Sequence, residues 1–106
     1  MEFLVEFDLH VPRGTPESEV TQRYSAEAAA SAELAREGHL VRLWRPPMGP
    51  GERKALGLYR ADSREQLDAL LDALPLSGWM QTTITTLEPH PNDPAGERAA
   101  EHAAAS

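Results

Sequence analysis

Apolar and polar residues alternate along residues 3–11, FLVEFDLHV, which is the pattern of a strand that buries one face. The other face is largely polar and acidic; the apolar face consists of Phe3, Val5, Phe7, Leu9 and Val11. Three further stretches with apolar, aromatic or β-branched residues predict strands over residues 39–45, 54–61 and 80–88. The pattern therefore predicts four strands.

A long helix is predicted between the first two strands, from about Pro16 to Glu37. Thr15 is the expected N-cap, and proline suits the first helical turn that follows it. Gly38 stands where a residue in the left-handed conformation commonly ends a helix. Both ends of the helix are therefore marked in the sequence.

A second helix is predicted over residues 64–74, REQLDALLDAL, with Asp62 or Ser63 as its N-cap. The resulting order is βαββαβ, which is typical of the α+β ferredoxin-like fold, an antiparallel sheet with both helices on one face. We expect one such domain over residues 1–94. The remaining residues, 95–106, are polar and alanine-rich without an apolar stripe, so we expect them to be disordered or to lie on a neighbouring subunit.

A glutamate stands in the stripe of the first helix that should face the core. The stripe spans an arc of roughly 100° on the helix and contains Val20, Tyr24, Glu27, Ser31, Leu34 and Ala35. Burial of an ionised carboxylate raises its pKa, and a raised pKa suits a group that transfers protons near neutrality. The alternative is that Glu27 only forms a structural ion pair with an arginine. Tyr24, on the same face, is either core filling or a second proton-exchanging group.

The second strand carries the candidate binding residues. Alternation places one set toward the helices: His39, Val41, Leu43 and Arg45. It places the other set on the outer face: Leu40, Arg42 and Trp44. An inward arginine usually meets a carboxylate, of Glu27 or of a ligand, although an arginine at a strand end can also reach solvent. Trp44 on the outer face predicts a contact with another subunit.

Composition narrows the ligand classes. A formal charge of −7, from 17 acidic and 10 basic side chains without a basic run, disfavours nucleic acid and anionic membranes. The chain has no cysteine, its four histidines have no metal-ligand spacing, and no glycine-rich phosphate loop precedes a helix, so we expect no metal and no nucleotide cofactor. Without a signal-peptide pattern or an apolar run long enough for a membrane span, we expect a cytoplasmic protein that binds a small molecule.

Several short motifs carry a resemblance to a known family. They are MEFLVEF at the first strand, Pro12 after it, REGHLVRLWR at the junction of helix and second strand, and LPLSGWM leading into LEPHPNDP. The most specific parts are REG followed by RLWR, and LPL followed by HP. From residue 1 to about residue 94, the chain resembles the muconolactone delta-isomerase family.

The resemblance implies a cofactor-free isomerase of bacterial aromatic catabolism, in the β-ketoadipate pathway. Family enzymes convert muconolactone to the 3-oxoadipate enol-lactone by a 1,3-proton transfer, and Glu27 matches the glutamate on their first helix that suits the role of proton carrier. The resemblance also implies a homo-oligomer, at least a dimer and up to a decamer of dimers, with pockets closed partly by a neighbour's C-terminal segment.

The sequence departs from the family at Tyr24, where a lysine is expected, and in a fuller loop, PPMGPGERKALG. Both changes bear on substrate recognition. Our first hypothesis remains a muconolactone-type isomerase in which Glu27 moves the proton, Tyr24 donates to the enolate oxygen and Arg45 or Arg42 holds a carboxylate. The other expected substrate contacts are His39, Phe3, Phe7 and Leu43. The alternatives are a cyclase or isomerase on a larger polyketide-like substrate, and a binding or assembly protein without catalysis.

Overall fold

The computed structural model describes residues 1–95 and shows the βαββαβ order that the sequence predicts. The strands are β1 (Glu2–Leu9), β2 (Leu40–Trp44), β3 (Lys54–Arg60) and β4 (Met80–Leu87), and the helices are α1 (Glu17–Arg36) and α2 (Arg64–Asp72). A 3-10 turn, Ser77–Trp79, leads into β4. The predicted strand bounds differ from these by one or two residues at most, as is common at element ends. The predicted tail, residues 95–106, lies outside the described residues except for Ala95.

The four strands form one antiparallel sheet in the order β2-β3-β1-β4. The first strand of the chain is therefore central, and it pairs with β3 along one edge and with β4 along the other. This topology confirms the predicted ferredoxin-like fold. Neither helix of the described part combines the length and the apolar character that a membrane crossing requires.

The core lies between the sheet and both helices, at one end of β1. Phe3 and Val5 are completely buried, and Leu34 of α1 packs in the same cluster with Leu67 and Leu71 of α2. Both helices therefore cover the same face of the sheet, as predicted. Full burial of side chains of this size contributes about 1.5–3 kcal/mol each, so this end of β1 fixes the helices on the sheet.

The predicted N-cap of α1 is wrong, whereas the predicted end of the helix is confirmed. Thr15 is not the N-cap, because Pro16 occupies that position and no side chain caps the helix. The Thr15 hydroxyl instead donates to the carbonyl oxygen of Pro12 at 2.6 Å, within the turn before the helix. At the other end Gly38 has a φ of +83°, and its N–H donates to the carbonyl oxygen of Ala35 at 3.1 Å, which confirms the predicted glycine stop.

Helix α2 begins with a reciprocal pair of hydrogen bonds. Of the two predicted candidates, Ser63 is the N-cap, and its Oγ accepts from the backbone N–H of Gln66 at 3.1 Å. The side chain of Gln66 in turn accepts from the backbone N–H of Asp62 at 2.6 Å. Two backbone donors that the helix itself cannot satisfy are thus paired, as in a capping box.

Strand β2 contains an irregularity in its pairing with β3, between Leu40 and Arg42. Leu40 and Leu43 both lie opposite residues on the helix-facing side of β3, whereas Arg42 faces outward. The prediction that Leu40 shares the outer face with Arg42 is therefore wrong. The reason is the extra residue, Val41, which breaks the strict alternation of the strand.

Gly57 in β3 lies beneath the ring of Tyr59. A Cβ at position 57 would lie 2.5 Å from Cε2 of Tyr59 and 3.5 Å from Cδ1 of Leu43. Tyr59 is only 2% exposed, and its ring packs edge-on against Phe7 with 6.1 Å between centroids. Because glycine has no side chain at position 57, the ring of Tyr59 can lie along the sheet there.

We predict that Gly57→Ala destabilises the protein by about 1–3 kcal/mol, because the added methyl group overpacks against a buried ring. Urea unfolding of the variant beside Gly78→Ala measures the effect. An added methyl at Gly78 meets no atom within 4 Å, so this control should change stability by no more than about 0.5 kcal/mol. Equal stability of the two variants would show that the Tyr59 ring is not held in this position.

Candidate active site

A cavity of about 720 Å³ lies between α1 and the end of the sheet that the core leaves uncovered. Small-molecule sites usually occupy about 300–1,000 Å³. The wall is mostly apolar, with a few polar and charged groups, and all four strands contribute to it. It is formed by Phe7, Leu9, Tyr24, Glu27, Ala28, Ser31, Leu43, Arg45, Met48, Arg53, Lys54, Ala55, Tyr59, Leu76 and Met80.

Glu27 is the half-buried acid in this wall. Its Oε1 accepts a hydrogen bond from the backbone N–H of Leu76 at 3.0 Å. Burial raises the pKa of the carboxyl above its usual value, and the hydrogen bond from Leu76 offsets part of that rise. Within residues 1–95 Glu27 forms no salt bridge. The carboxylate is therefore neither neutralised by a cation nor fully exposed to solvent.

The segment that carries the Leu76 amide is fixed on both sides. The side chains of Leu74 and Leu76 are each 4% exposed. Between them, the carbonyl oxygen of Pro75 accepts from Nη1 of Arg23 at 3.4 Å, and the guanidinium of Arg23 lies 4.4 Å from the ring centroid of Trp79. These contacts hold the LPL segment against α1, so the amide that donates to Glu27 belongs to a buried segment packed on that helix.

Tyr24, one turn before Glu27 on α1, is bonded to the other side of the cavity. Nη1 of Arg53 donates to the Tyr24 hydroxyl oxygen at 2.8 Å, and the guanidinium lies 5.9 Å from the tyrosine ring centroid. Because Tyr24 accepts in this bond, its own hydroxyl proton stays available for a ligand. Tyr24 is therefore not core filling, and 36% of its surface is exposed.

Tyr59 supplies a second phenol to the wall. Burial is the main cause that raises the pKa of Tyr59 to about 12, and the nearby charge of Glu27 adds to it. The phenol therefore stays protonated at neutral pH and can act only as a neutral hydrogen-bond donor or acceptor.

Five of the residues that the sequence predicts as site residues line the cavity, namely Glu27, Tyr24, Arg45, Phe7 and Leu43. The strand alternation and the helical stripe bring them together because the inner sheet face and the stripe of α1 face each other. Glu27 and Tyr24 come from one helix, and the other three come from β1, β2 and the end of β2.

Three other predicted substrate contacts lie outside the cavity, so a role in contacting its ligand is not supported for them. Phe3 belongs to the core end of β1 and is 0% exposed. Nδ1 of His39 lies 2.8 Å from the carbonyl oxygen of Arg60, at the opposite end of β2 from the cavity. Arg42 is on the outer sheet face, with its guanidinium 5.1 Å from the ring centroid of Trp44.

Sequence reasoning did not find Arg53, Tyr59 or Leu76. Tyr59 could have been found, because alternation along β3 places it on the same face as Ala55. Arg53 and the amide of Leu76 have no such local signal. Their contacts with α1 span 29 and 49 residues of sequence, respectively, so only the folded chain brings them to the helix.

Comparison with known proteins identifies the family. A family model described as muconolactone delta-isomerase matches residues 1–93. The chain belongs to the muconolactone delta-isomerase family. Among its relatives, the muconolactone Delta-isomerase of Acinetobacter baylyi is 33% identical over 92 residues, which cover 87% of this chain and 93% of the relative. The family resemblance read from the motifs is thereby confirmed.

Solved structures agree with this family assignment. The crystal structure of a muconolactone isomerase matches with a TM-score of 0.81 and 27% identity, over 92% of this chain and 98% of that one. The 5-chloro-2-hydroxyhydroquinone dehydrochlorinase of Burkholderia phenoliruptrix, solved in complex with 2,5-dihydroxybenzoquinone, has a TM-score of 0.62. The dehydrochlorinase is 15% identical over 88% of this chain and 99% of its own, so the similarity concerns the fold alone.

We predict that Glu27→Gln is slightly more stable than the wild type at pH 8, by less than about 1 kcal/mol, because a half-buried charge is screened by solvent. The folded-state pKa of Glu27 is raised, so the protonated form stabilises the fold at low pH and that contribution is lost as pH rises through the folded pKa. The advantage of the variant should therefore shrink as the pH falls toward 4.

Urea unfolding across this pH range checks the prediction. Glu37→Gln, at an exposed position that ends the same helix, is the matched control and should change stability by no more than about 0.5 kcal/mol. A large loss of stability in Glu27→Gln at pH 8 would contradict the view that burial of this carboxylate is costly.

Proposed function

We propose that this member of the muconolactone delta-isomerase family is a cofactor-independent isomerase that moves a double bond in a small unsaturated lactone of the muconolactone type. The observation that carries the proposal is Glu27, a carboxylate without a cationic partner in residues 1–95, with a raised pKa, in the wall of a cavity of about 720 Å³. This is the environment that general acid–base catalysis requires.

In the proposed reaction Glu27 first acts as a base. It takes a proton from a ring carbon that the conjugated carbonyl makes acidic, and the electrons of that C–H bond form the new double bond. The original double bond shifts, and the lactone carbonyl oxygen becomes an enolate oxygen. Glu27 then returns the proton to the carbon two positions away and the carbonyl re-forms, so one carboxylate serves as base and acid.

The two carboxylate oxygens of Glu27 differ in their hydrogen bonding. Oε1 is held by the amide of Leu76, whereas Oε2 has no hydrogen bond within residues 1–95 and is the oxygen that we assign to proton transfer. Burial strengthens the base, and the Leu76 bond keeps the ionised form accessible near neutrality. The two opposing influences suit a group that must both accept and release a proton.

Tyr24 and Arg45 take the remaining roles in this proposal. The free hydroxyl proton of Tyr24 donates to the developing enolate oxygen, which is the kind of stabilisation that lowers the barrier of an enolisation. Arg45, in the same wall as Glu27, offers a charge for a substrate carboxylate. Arg42 has no part in it, since its side chain lies on the outer sheet face.

The geometry disfavours both alternative functions. A cyclase for a larger apolar substrate would be supported by a cavity without a reachable arginine, but Arg45 and Arg53 both line this one. A protein without catalysis would be supported by Glu27 in a closed ion pair, but the carboxylate faces an open cavity and forms no ion pair within residues 1–95. Membership of the muconolactone delta-isomerase family points the same way.

We predict that the wild type converts (+)-muconolactone to the enol-lactone and that Glu27→Gln loses about 10²- to 10⁴-fold in turnover, the usual worth of a general acid–base group. Ultraviolet absorbance follows the product, and proton exchange in deuterated water follows the first step. Glu27→Asp keeps a carboxylate and should retain more activity than Gln.

The pH profile gives an independent check. Activity should rise with pH as Glu27 ionises, with a midpoint above the usual glutamate value of 4.5. Glu37→Gln serves again as the control and should keep wild-type turnover. Full activity in Glu27→Gln would refute the role of Glu27, and a folded wild type without activity on muconolactone would refute the substrate.

We further propose that the chain works in the cytoplasm as a homo-oligomer, at least a dimer. Among residues 1–95 the helices cover one face of the sheet, and the outer face carries Leu4, Leu58 and the 40% exposed Trp44. We predict that light scattering gives a mass of two or more chains and that Trp44→Lys lowers it, because the charge would have to be buried at an interface. A monomeric wild type would contradict the proposal.

A further inference from the structure

Two arginines at the cavity wall have no carboxylate partner in the described part of the chain, residues 1–95. Most described cations are paired with an acid: Arg23, Arg36, Lys54, Arg60 and Arg64 each form a salt bridge. Within residues 1–95 Arg45 and Arg53 form none, although the chain carries a net charge of −7. Both line the cavity that contains Glu27. Two cations that have no salt bridge within residues 1–95 and line the same cavity make that cavity a favourable site for an anion.

The backbone that presents Arg53 is held in place. The carbonyl oxygen of Arg53 accepts from the N–H of Leu9 at 2.8 Å, which extends the edge of the β1–β3 pairing by one bond. In the loop before it, the N–H of Gly49 donates to the side chain of Glu52 at 2.9 Å. The guanidinium of Arg53 therefore extends to α1 from a backbone position that hydrogen bonds hold in place.

The bond between Arg53 and Tyr24 orients the guanidinium without neutralising it. One donor, on Nη1, is used by the tyrosine hydroxyl, and a guanidinium has five N–H donors in a planar fork that matches a carboxylate. Tyr24 carries no formal charge to compete for the arginine. The remaining donors of Arg53 are thus free, within residues 1–95, to bind a carboxylate bidentately.

The position of Glu27 relative to this arginine limits the substrate. Glu27 lies three residues after Tyr24, and helix positions with this spacing have Cβ atoms about 5–6 Å apart. A carboxylate bound at Arg53 therefore places the atoms a few bonds away beside the catalytic acid. This spacing suits a small lactone ring with a short carboxylate side arm.

We propose that Arg53, together with Arg45, binds the carboxylate of the substrate and is the main determinant of specificity for anionic lactones at this site. The inference rests on the proposed isomerase function and deepens it.

The first test compares an acid with its neutral ester. For Arg53→Met, KM for muconolactone should rise about 10- to 100-fold with little change in kcat, because a charged hydrogen bond made equally in substrate and transition state is lost. Muconolactone methyl ester should be a poor substrate for the wild type and should be affected no further. Arg53→Lys should recover only part of the loss, since lysine cannot bind bidentately.

A matched control removes the same charge elsewhere. Arg13 lies in the turn before α1, is exposed, has no salt bridge within residues 1–95 and is not part of the cavity wall. Arg13→Met should therefore leave KM for the acid and the ester unchanged. Equal effects of Arg53→Met on the acid and the ester, or no effect on KM for the acid, would overturn the proposal.

A binding measurement separates this inference from the proposed reaction. Calorimetric titration with the saturated acid 5-oxotetrahydrofuran-2-acetate, which cannot isomerise, should show binding to the wild type and a 10- to 100-fold weaker affinity for Arg53→Met, by about the same ratio as KM. Arg53-dependent binding without turnover by the wild type would refute the reaction and keep the anion site. Normal turnover with binding independent of Arg53 would keep the reaction and refute the anion site, and no binding with no turnover would refute both.

Discussion

The apolar face of β1, packed under both helices, is the constraint on which the rest of the structure depends. Phe3 and Val5 are completely buried there, and each pairs through its backbone with both neighbouring strands. Farther along the same face, Phe7 and Leu9 belong to the cavity wall. The inner face of one strand thus passes from packed core to binding site. The same is true of α1, which places Leu34 in the core and Glu27 in the cavity.

This division explains how Glu27 can be half-buried with no cationic partner among residues 1–95. The core end supplies the apolar burial that stabilises the domain, so the cavity end can keep a group whose desolvation is unfavourable. The backbone amide of Leu76 donates a hydrogen bond to Glu27 there, and the charge of Glu27 adds to the rise that burial causes in the pKa of Tyr59. Apolar packing elsewhere on β1 and α1 therefore offsets the unfavourable free energy of burying Glu27.

The sequence predicts the features that have a local cause. The alternation of β1, the glycine stop at Gly38, an N-cap of α2 at Asp62 or Ser63 and the place of Glu27 in the stripe of α1 are all readable from neighbouring residues. Thr15 was misassigned because its hydroxyl is used in the preceding turn, and Leu40 because one inserted residue in β2 shifts the alternation. One error depends on a single hydrogen bond and the other on a single extra residue. Patterns of apolar and polar residues do not reveal such details.

The partners of the site residues could not be predicted, because they come from distant parts of the chain. Arg53 reaches Tyr24 across 29 residues, and Leu76 reaches Glu27 across 49. The motif comparison did predict the family, which the family model over residues 1–93 confirms. It also singled out Tyr24 as a departure, and the structure shows that this residue is bonded to an arginine from the fuller loop that differs as well.

The hydrogen bonds to Glu27 and to Tyr24 differ in how they can evolve. The bond to Glu27 comes from a main-chain amide, so any residue except proline at position 76 retains the donor, and the wall needs only an apolar side chain there. The bond to Tyr24 joins two side chains, and either partner can be exchanged by a single codon change. The contact of Glu27 with Leu76 is thereby protected from substitutions at position 76, whereas the contact of Tyr24 with Arg53 is sensitive to substitution of either residue. Substitutions in the cavity wall can therefore change what surrounds Tyr24 while the backbone donor to Glu27 stays in place.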